Sequence, residues 1–202
     1  MFSKMYKNIF KRIFDVIVSL FLLPILLVLF IIVPALIYFE DKGPVFYNAP
    51  RLGKDGKNFI MFKFRTMKIN APDLRNPDHS TYSAEDDSRV TKIGKILRKF
   101  SIDEFPQLIN VLKGDMSIIG PRPHLAGKSI RDFDEMRLKR ITVRPGVTGY
   151  NQAFYRNAIS MEKKIENDVY YVENLSFGLD IKIFLKTILA VIKSENIYSQ
   201  PR

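Results

Sequence analysis

The chain has 202 residues, no cysteine, two histidines and a formal net charge of +11. It can form no disulfide framework, thiolate nucleophile or Cys-ligated zinc, and His79 and His124 are too few for a His-rich metal site. The length suits one catalytic domain with an ordinary core plus a membrane anchor. The basic balance favours an anionic partner, a description that nucleic acid, anionic lipid headgroups and nucleotide-sugar phosphates all meet.

Lys4, Lys7, Lys11 and Arg12 lead into an almost wholly apolar run from Val16 to Phe39. The order is that of a signal peptide, but the run is longer than an h-region and ends in Tyr38-Phe-Glu-Asp41 without a small-residue cleavage pattern, so it is expected to be retained. The leading cations then read as an interfacial anchor rather than a nucleic-acid arm. Lys42, Arg51, Lys54 and Lys57 follow the run, so charge marks neither flank as the inside one. Pro24 and Pro34 remove backbone hydrogen bonds and tend to kink a helix. Two arrangements stay open: a spanning helix with tolerated prolines, or a re-entrant helix that breaks near Pro24 and returns to the side it entered.

Beyond Gly43, two β-prone runs, Pro44–Tyr47 and Phe59–Phe64, flank a Gly53-Lys-Asp-Gly56 turn and predict a small β-hairpin. Asn70 to Asp87 is polar and aperiodic, a surface excursion. Helical patterns cover Ile93–Phe100, Glu104–Leu112, Lys128–Ile141, Ser160–Glu173 and Asp180–Lys193. The last places Ile181, Phe184, Leu185, Ile188, Leu189 and Ile192 on one face. The ordinary reading turns that stripe toward the core; the alternative lays it in the membrane interface.

The adjacent carboxylates Asp103 and Glu104 are the candidate catalytic pair. With Ser101 as N-cap, Glu104 would complete a capping box but Pro106 would fall in the helix interior; with Asp103 as N-cap, Pro106 sits in the first turn at little cost. The second register is preferred, and it puts both acids at a helix start that favours ionised carboxylates and attracts phosphate. The competing interpretation is simple capping. Arg98 precedes the pair, and Gly120-Pro-Arg-Pro123 follows, its prolines Pro121 and Pro123 restricting the backbone around Arg122. A planar guanidinium held in one direction suits bidentate phosphate recognition. Arg144-Pro-Gly-Val-Thr-Gly149 repeats the device, while Lys63-Phe-Arg-Thr-Met67 by itself reads as a basic, solvent-facing strand end and Asp168 has no distinctive spacing of its own. Glu85-Asp-Asp87 has the look of a glycosyltransferase metal cluster, but no buried strand precedes it. No Walker loop or Gly-x-Gly-x-x-Gly is present.

Taken together, Lys11-Arg-Ile-Phe-Asp15, Gly43-Pro-Val-Phe46, Lys63-Phe-Arg-Thr-Met67, Ser101-Ile-Asp-Glu-Phe-Pro-Gln-Leu108, Asn110-Val-Leu-Lys-Gly-Asp-Met116, Gly120-Pro-Arg-Pro123, Arg144-Pro-Gly-Val-Thr-Gly149 and Asp168-Val-Tyr-Tyr171 resemble, in order and over nearly the whole chain, the bacterial sugar transferase family of small monotopic phosphoglycosyl transferases. The resemblance implies a predominantly helical α+β fold with a re-entrant membrane helix over 1–40 bent near Pro24, a cytoplasmic catalytic domain over 41–202, a small β-hairpin and amphipathic interfacial helices. It implies a bacterial inner-membrane enzyme whose Asp103 attacks the β-phosphorus of a UDP-sugar, releases UMP and passes the phosphosugar to undecaprenyl phosphate, feeding downstream glycosyltransferases, with no nucleic-acid partner. Glu104 would assist, and Mg²⁺ at Asp103 and Glu104 would neutralise the diphosphate. Lys63, Arg65, Arg98, Pro121, Arg122, Pro123, Arg144 and Asp168 are the implied substrate-binding positions. The chain departs from the family's N-glycosylation-initiating members at Asn151-Gln-Ala-Phe154, at Met161 and in the acidic excursion near Asp73 to Asp87. The non-enzymatic alternative is a membrane-anchored basic scaffold that recruits anionic lipid or nucleic acid.

Overall fold

The computed structural model describes residues 5–74, 82, 84, 86–127, 130–156 and 158–193. A short π-helical turn, Tyr6–Phe10, opens directly into α1, Lys11–Asp41. The hairpin β1 (Ala49–Leu52) and β2 (Asn58–Met61) follows, then α2 (Lys92–Lys99), α3 (Gln107–Lys113), β3 (Ser117–Ile119), β4 (His124–Leu125), α4 (Glu135–Arg140), β5 (Gly146–Thr148), α5 (Tyr150–Phe154), α6 (Met161–Glu173) and α7 (Phe177–Lys193). The described fold is mostly helical with two small sheets.

The helix α1 does not break at Pro24: both prolines lie inside one continuous helix. Each removes only one backbone donor, and the apolar residues on either side carry the helix past the gap. Lys11, Asp15, Ser19, Leu26, Val33 and Ile37 are buried, with Leu22 and Phe30 packed against the core between them. Their spacing is four or three residues throughout, so a single face runs through Pro24 and lies along the rest of the protein. The opposite face, including Ile17, Leu20, Phe21, Val28 and Ile31, is exposed.

The hairpin forms with its regular strands nearer the turn than expected. Ala49 to Leu52 pair antiparallel with Met61 to Asn58, and β4 joins the other side of β1 to give the order β2-β1-β4. Irregular pairing continues the ladder outward through the Phe46–Phe64 bridge, Tyr47 N to Lys63 O (2.8 Å) and Arg65 N to Val45 O (2.8 Å). Gly56 takes φ 76° in the turn, and a β-carbon there would also meet Ile130. The second sheet is the parallel pair β3-β5, with Ser117 opposite Gly146 and Ile119 opposite Thr148. Its segments read as turns in sequence because each has only three ladder residues, bounded by glycine and proline.

Helix α6 matches its pattern, with Ser160 accepting from Lys163 N as N-cap. The pattern over Lys128–Ile141 instead resolves, within the described residues, into a 3₁₀ turn at Ile130–Asp132 and the short α4, because Asp134 caps a new start by accepting from Arg137 N. The core-facing reading of α7 is overturned. Its buried residues are Asp180 and Ile183, whereas Leu185, Ile188, Leu189 and Ile192 are 43–72% exposed. Asp180 sets the rotation: Tyr6 Oη (2.6 Å), Lys11 Nζ (2.7 Å) and Tyr171 Oη (2.8 Å) all reach its carboxylate, and a buried charge must face its donors. Thr187 then meets Thr148 Oγ1 at 2.8 Å, and the apolar stripe points outward.

Gly120, Gly146 and Gly149 stack backbone on backbone where β3 and β5 meet. A β-carbon on Gly146 would enter the space of Gly120 N, whereas one on Gly178 meets nothing within 4 Å. Gly146→Ala should therefore lower stability by about 1–3 kcal/mol, and Gly178→Ala should leave it unchanged or raise it by up to about 1 kcal/mol, as read from denaturation midpoints in detergent.

Candidate active site

Asp103 and Glu104 lie on a 3₁₀ turn, Ile102–Glu104, entered through a left-handed Ser101 (φ 55°). Neither expected capping register occurs. The helix begins only at Gln107, its N-cap position is Pro106, and no side chain caps it. The left-handed residue reverses the chain after α2, and Pro106, which has no N–H, sits where a helix needs no donor. Side chains, rather than a helix dipole, therefore govern the two acids.

Asp103 is held from the segment after β2. Phe64 N donates to Asp103 O at 3.0 Å, and Lys63 Nζ stands 2.7 Å from Asp103 Oδ2. The same ammonium is 3.4 Å from Glu104 Oε1, which Arg122 Nη1 approaches at 3.5 Å. Asp103 is 2% exposed, whereas the Arg122 side chain is 58% exposed and reaches the cluster from solvent. Burial pushes the Glu104 carboxyl up, but the Lys63 and Arg122 charges outweigh it and hold the group below its ordinary value.

The two proline-framed arginine turns form one unit. Gly120 N donates to Thr148 O and Gly146 N to Pro121 O, both at 2.9 Å, so Gly120-Pro-Arg-Pro123 and Arg144-Pro-Gly146 are stitched together across β3 and β5. Pro121 is buried and Pro123 half-buried. Arg122 alone of this pair of arginines reaches the acids; Arg144 Nε donates to Gly114 O at 2.8 Å, beyond the end of α3. Arg98 Nε donates to Thr66 Oγ1 at 2.9 Å. Arg65 forms a two-pronged ion pair with Asp41 at the end of α1 and donates to Pro44 O. Asp168 is buried on α6, 2.7 Å from Arg140 Nε, and accepts from Asn151 Nδ2 at 2.8 Å. The structure thus gathers Lys63, Asp103, Glu104 and Arg122, and gives Arg65 and Asp168 protein partners.

In the acidic excursion, Asp87 is taken up by Arg89 through 2.7 and 2.9 Å contacts, and Glu85 and His79 lie outside the described residues. Among the described residues no three His, Cys, Asp or Glu side chains gather. The pair Asp103–Glu104 nevertheless fits Mg²⁺, a hard ion that commonly takes one or two carboxylates and completes its shell with water and substrate phosphate. Sequence reasoning missed Arg140, one of several cations in Glu135–Arg140, and Asp180, whose only signal was an acid inside an apolar helical pattern.

Two titrations test this electrostatic picture. In Lys63→Met, the Glu104 carboxyl should titrate at higher pH than in the wild type, by carboxyl ¹³C NMR; an unchanged midpoint would show that Lys63 does not set it. Burial raises Asp168 to about 6 despite Arg140 and Asn151. Because the unfolded group titrates near 3.9, its contribution to stability is full below that pH and is lost as pH rises through about 6. A measured Asp168 midpoint at or below 4 would contradict this.

The family model for bacterial sugar transferases matches residues 6–194. The chain is 45% identical over 189 residues to the uncharacterized sugar transferase EpsL of Bacillus subtilis, covering 94% of this chain and 90% of that protein. It is 39% identical over 202 residues to the exopolysaccharide production protein ExoY of Sinorhizobium fredii, covering 95% and 89%. It is also 39% identical over 189 residues to the UDP-N-acetylgalactosamine-undecaprenyl-phosphate N-acetylgalactosaminephosphotransferase of Aeromonas hydrophila, covering 90% of this chain and 43% of that longer protein. With the match spanning the helix, the hairpin and the whole Asp103 cluster, the chain belongs to the bacterial sugar transferase family.

Proposed function

We propose that the protein transfers a sugar 1-phosphate from a UDP-sugar to undecaprenyl phosphate, with Asp103 as the nucleophile and UMP as the second product. The observation that carries this reading is the Asp103 cluster: a buried carboxylate 2.7 Å from an ammonium, beside a second acid met by an exposed guanidinium. Lys63 and Arg122 receive the donor diphosphate, and as Lys63 turns to phosphate oxygens it uncovers Asp103 Oδ2. That oxygen attacks the β-phosphorus; the new O–P bond forms as the bond to the α–β bridging oxygen breaks, and the electron pair leaves with UMP. A phosphate oxygen of undecaprenyl phosphate then displaces Asp103 from the phosphosugar, restoring the carboxylate. Neither displacement consumes a proton. Glu104 keeps Lys63 and Arg122 directed at the reacting phosphate and, with Asp103, would hold Mg²⁺, which supplies charge neutralisation when bound.

The membrane seat proposed here is monotopic, with both ends of α1 on the cytoplasmic face of the inner membrane. Near its start, Arg12 donates to Val111 O (2.5 Å) and Leu112 O (2.9 Å), and Asp15 accepts from Ser117 Oγ and Ile118 N (both 2.9 Å). At its end, Asp41 pairs with Arg65, and Glu40 accepts from Lys92 N (2.6 Å) and Ile93 N (3.0 Å). A crossing helix carries its ends to opposite sides of about 30 Å of hydrocarbon, whereas both ends here grip one domain. The outward apolar face of α1 and the exposed stripe of α7, whose helices touch through the half-buried Phe14–Phe184 contact, support lipid contact. The sugar to test first is an N-acetylated hexose, in line with the name of the Aeromonas relative.

Detergent-purified protein with undecaprenyl phosphate, Mg²⁺ and a UDP-sugar panel should release UMP rather than UDP, and Asp103→Asn should cut that release by roughly a thousandfold or more without changing the fold. UDP as the product would overturn phosphosugar transfer. Near-wild-type turnover by the variant would overturn the nucleophile.

A further inference from the structure

We propose that Arg140 and Asp168 are a buried positioning pair for the transfer step, acting through the backbone of Arg122; the catalytic part of this inference rests on the function proposed above. Arg140 closes the last turn of α4 and is 8% exposed. Its guanidinium addresses three other parts of the protein at once. Nε stands 2.7 Å from Asp168 Oδ2 on α6, Nη2 donates to Arg122 O at 2.8 Å, and Nη1 lies 2.7 Å from His124 Nε2 on β4. One planar fork therefore grips the chain on both sides of Pro123. A guanidinium only donates, so His124 Nε2 is the acceptor in that contact.

The geometry explains what the prolines leave undone. Pro121 and Pro123 restrict their own φ angles, and Pro123 confines Arg122 to extended backbone, but a broad φ range remains open to Arg122 within that region and its peptide plane needs a further restraint. Arg140 supplies it at the carbonyl, and Asp168 fixes Arg140, being itself anchored by Asn151. At one end of these contacts the Arg122 guanidinium is exposed and lies 3.5 Å from Glu104. Burying an ion pair is a poor route to stability compared with apolar packing of the same volume. Direction is what it adds here, since a displacement of about 1 Å in a phosphate-holding group can cost on the order of a hundredfold in rate.

Arg140→Lys is the informative variant: an ammonium still pairs with Asp168 but cannot hold Arg122 O and His124 in one plane. Asp168→Glu, which keeps both charges and displaces Arg140, is the second should the first not fold. Hydrogen exchange of the full chain without ligand should speed up at the Arg122 and His124 amides while α6 stays protected. Nucleotide release, counted as UMP plus UDP, should fall roughly 10- to 100-fold in kcat/KM for the donor. In an Arg122→Ala background the same change should cost no more than about twofold, because its effect passes through the lost side chain. Equal losses in both backgrounds, or unchanged exchange at Arg122 and His124, would overturn the proposal. Failure of the transfer reading is seen separately, as UDP or no nucleotide from the wild type, and the exchange result stands without it.

Discussion

The buried carboxylate of Asp180 is the constraint on which the arrangement of the helices depends. Removed from water, it needs donors on every side, and it draws Tyr6 and Lys11 from the start of the chain and Tyr171 from α6 to one point. Burial first, and then the nearby Asp180 charge, hold the Tyr171 hydroxyl protonated far above its ordinary range, so it remains a donor. Tyr171 Oη also lies 3.1 Å from Ile119 O, at the end of β3. One acid thus ties the start of α1, helices α6 and α7 and the strand leading into the Arg122 turn. It also decides which way α7 faces: Ile183 goes inward with Asp180, and the apolar stripe goes outward.

The apolar helix is part of the catalytic domain's own construction. The Asp41 end is clamped by Arg65, the residue two positions after Lys63, and the intervening Phe64 donates its N–H to Asp103 O. Glu40 occupies the first N–H groups of α2, whose chain continues into the Asp103 turn. The segment from Lys63 to Arg65 therefore links the long apolar helix to Asp103 within three residues. Under the transfer proposed above, such short linkage would keep a lipid-borne acceptor and a soluble donor meeting at one fixed carboxylate, since proximity and orientation supply much of the barrier reduction in a displacement that needs no proton transfer.

Charge at the site is arranged asymmetrically. Asp103, the proposed nucleophile, is buried beside an ammonium, while Arg122, the cation proposed to meet the diphosphate, is exposed. Two further arginines serve as braces: Arg65, which the family resemblance grouped with the site, for the helix end, and Arg140, which sequence reasoning missed, for the backbone of Arg122. Arginine suits both tasks because its fork satisfies two or three acceptors from one position.

Much of the fold was legible from pattern: the helix over the apolar run, the hairpin about Gly53–Gly56, helix α6 with its Ser160 cap, and the Asp103–Glu104 pair framed by proline-bound arginines. Those features are local, fixed by residues a few positions apart, and the order of motifs was enough to suggest the family. The parallel pairing of β3 with β5, the outward rotation of α7, the 3₁₀ turn in place of a helix cap, and the division of the arginines into solvent-exposed and bracing members were not legible. Each depends on a partner distant in sequence: Gly120 on Gly146, Asp180 on Tyr6, Asp103 on Phe64, Asp168 on Arg140. The sequence by itself determined which chemical groups are available and where the chain turns; tertiary structure alone decided which of those groups face one another, because desolvated charges and close backbone contacts are satisfied only once distant segments meet.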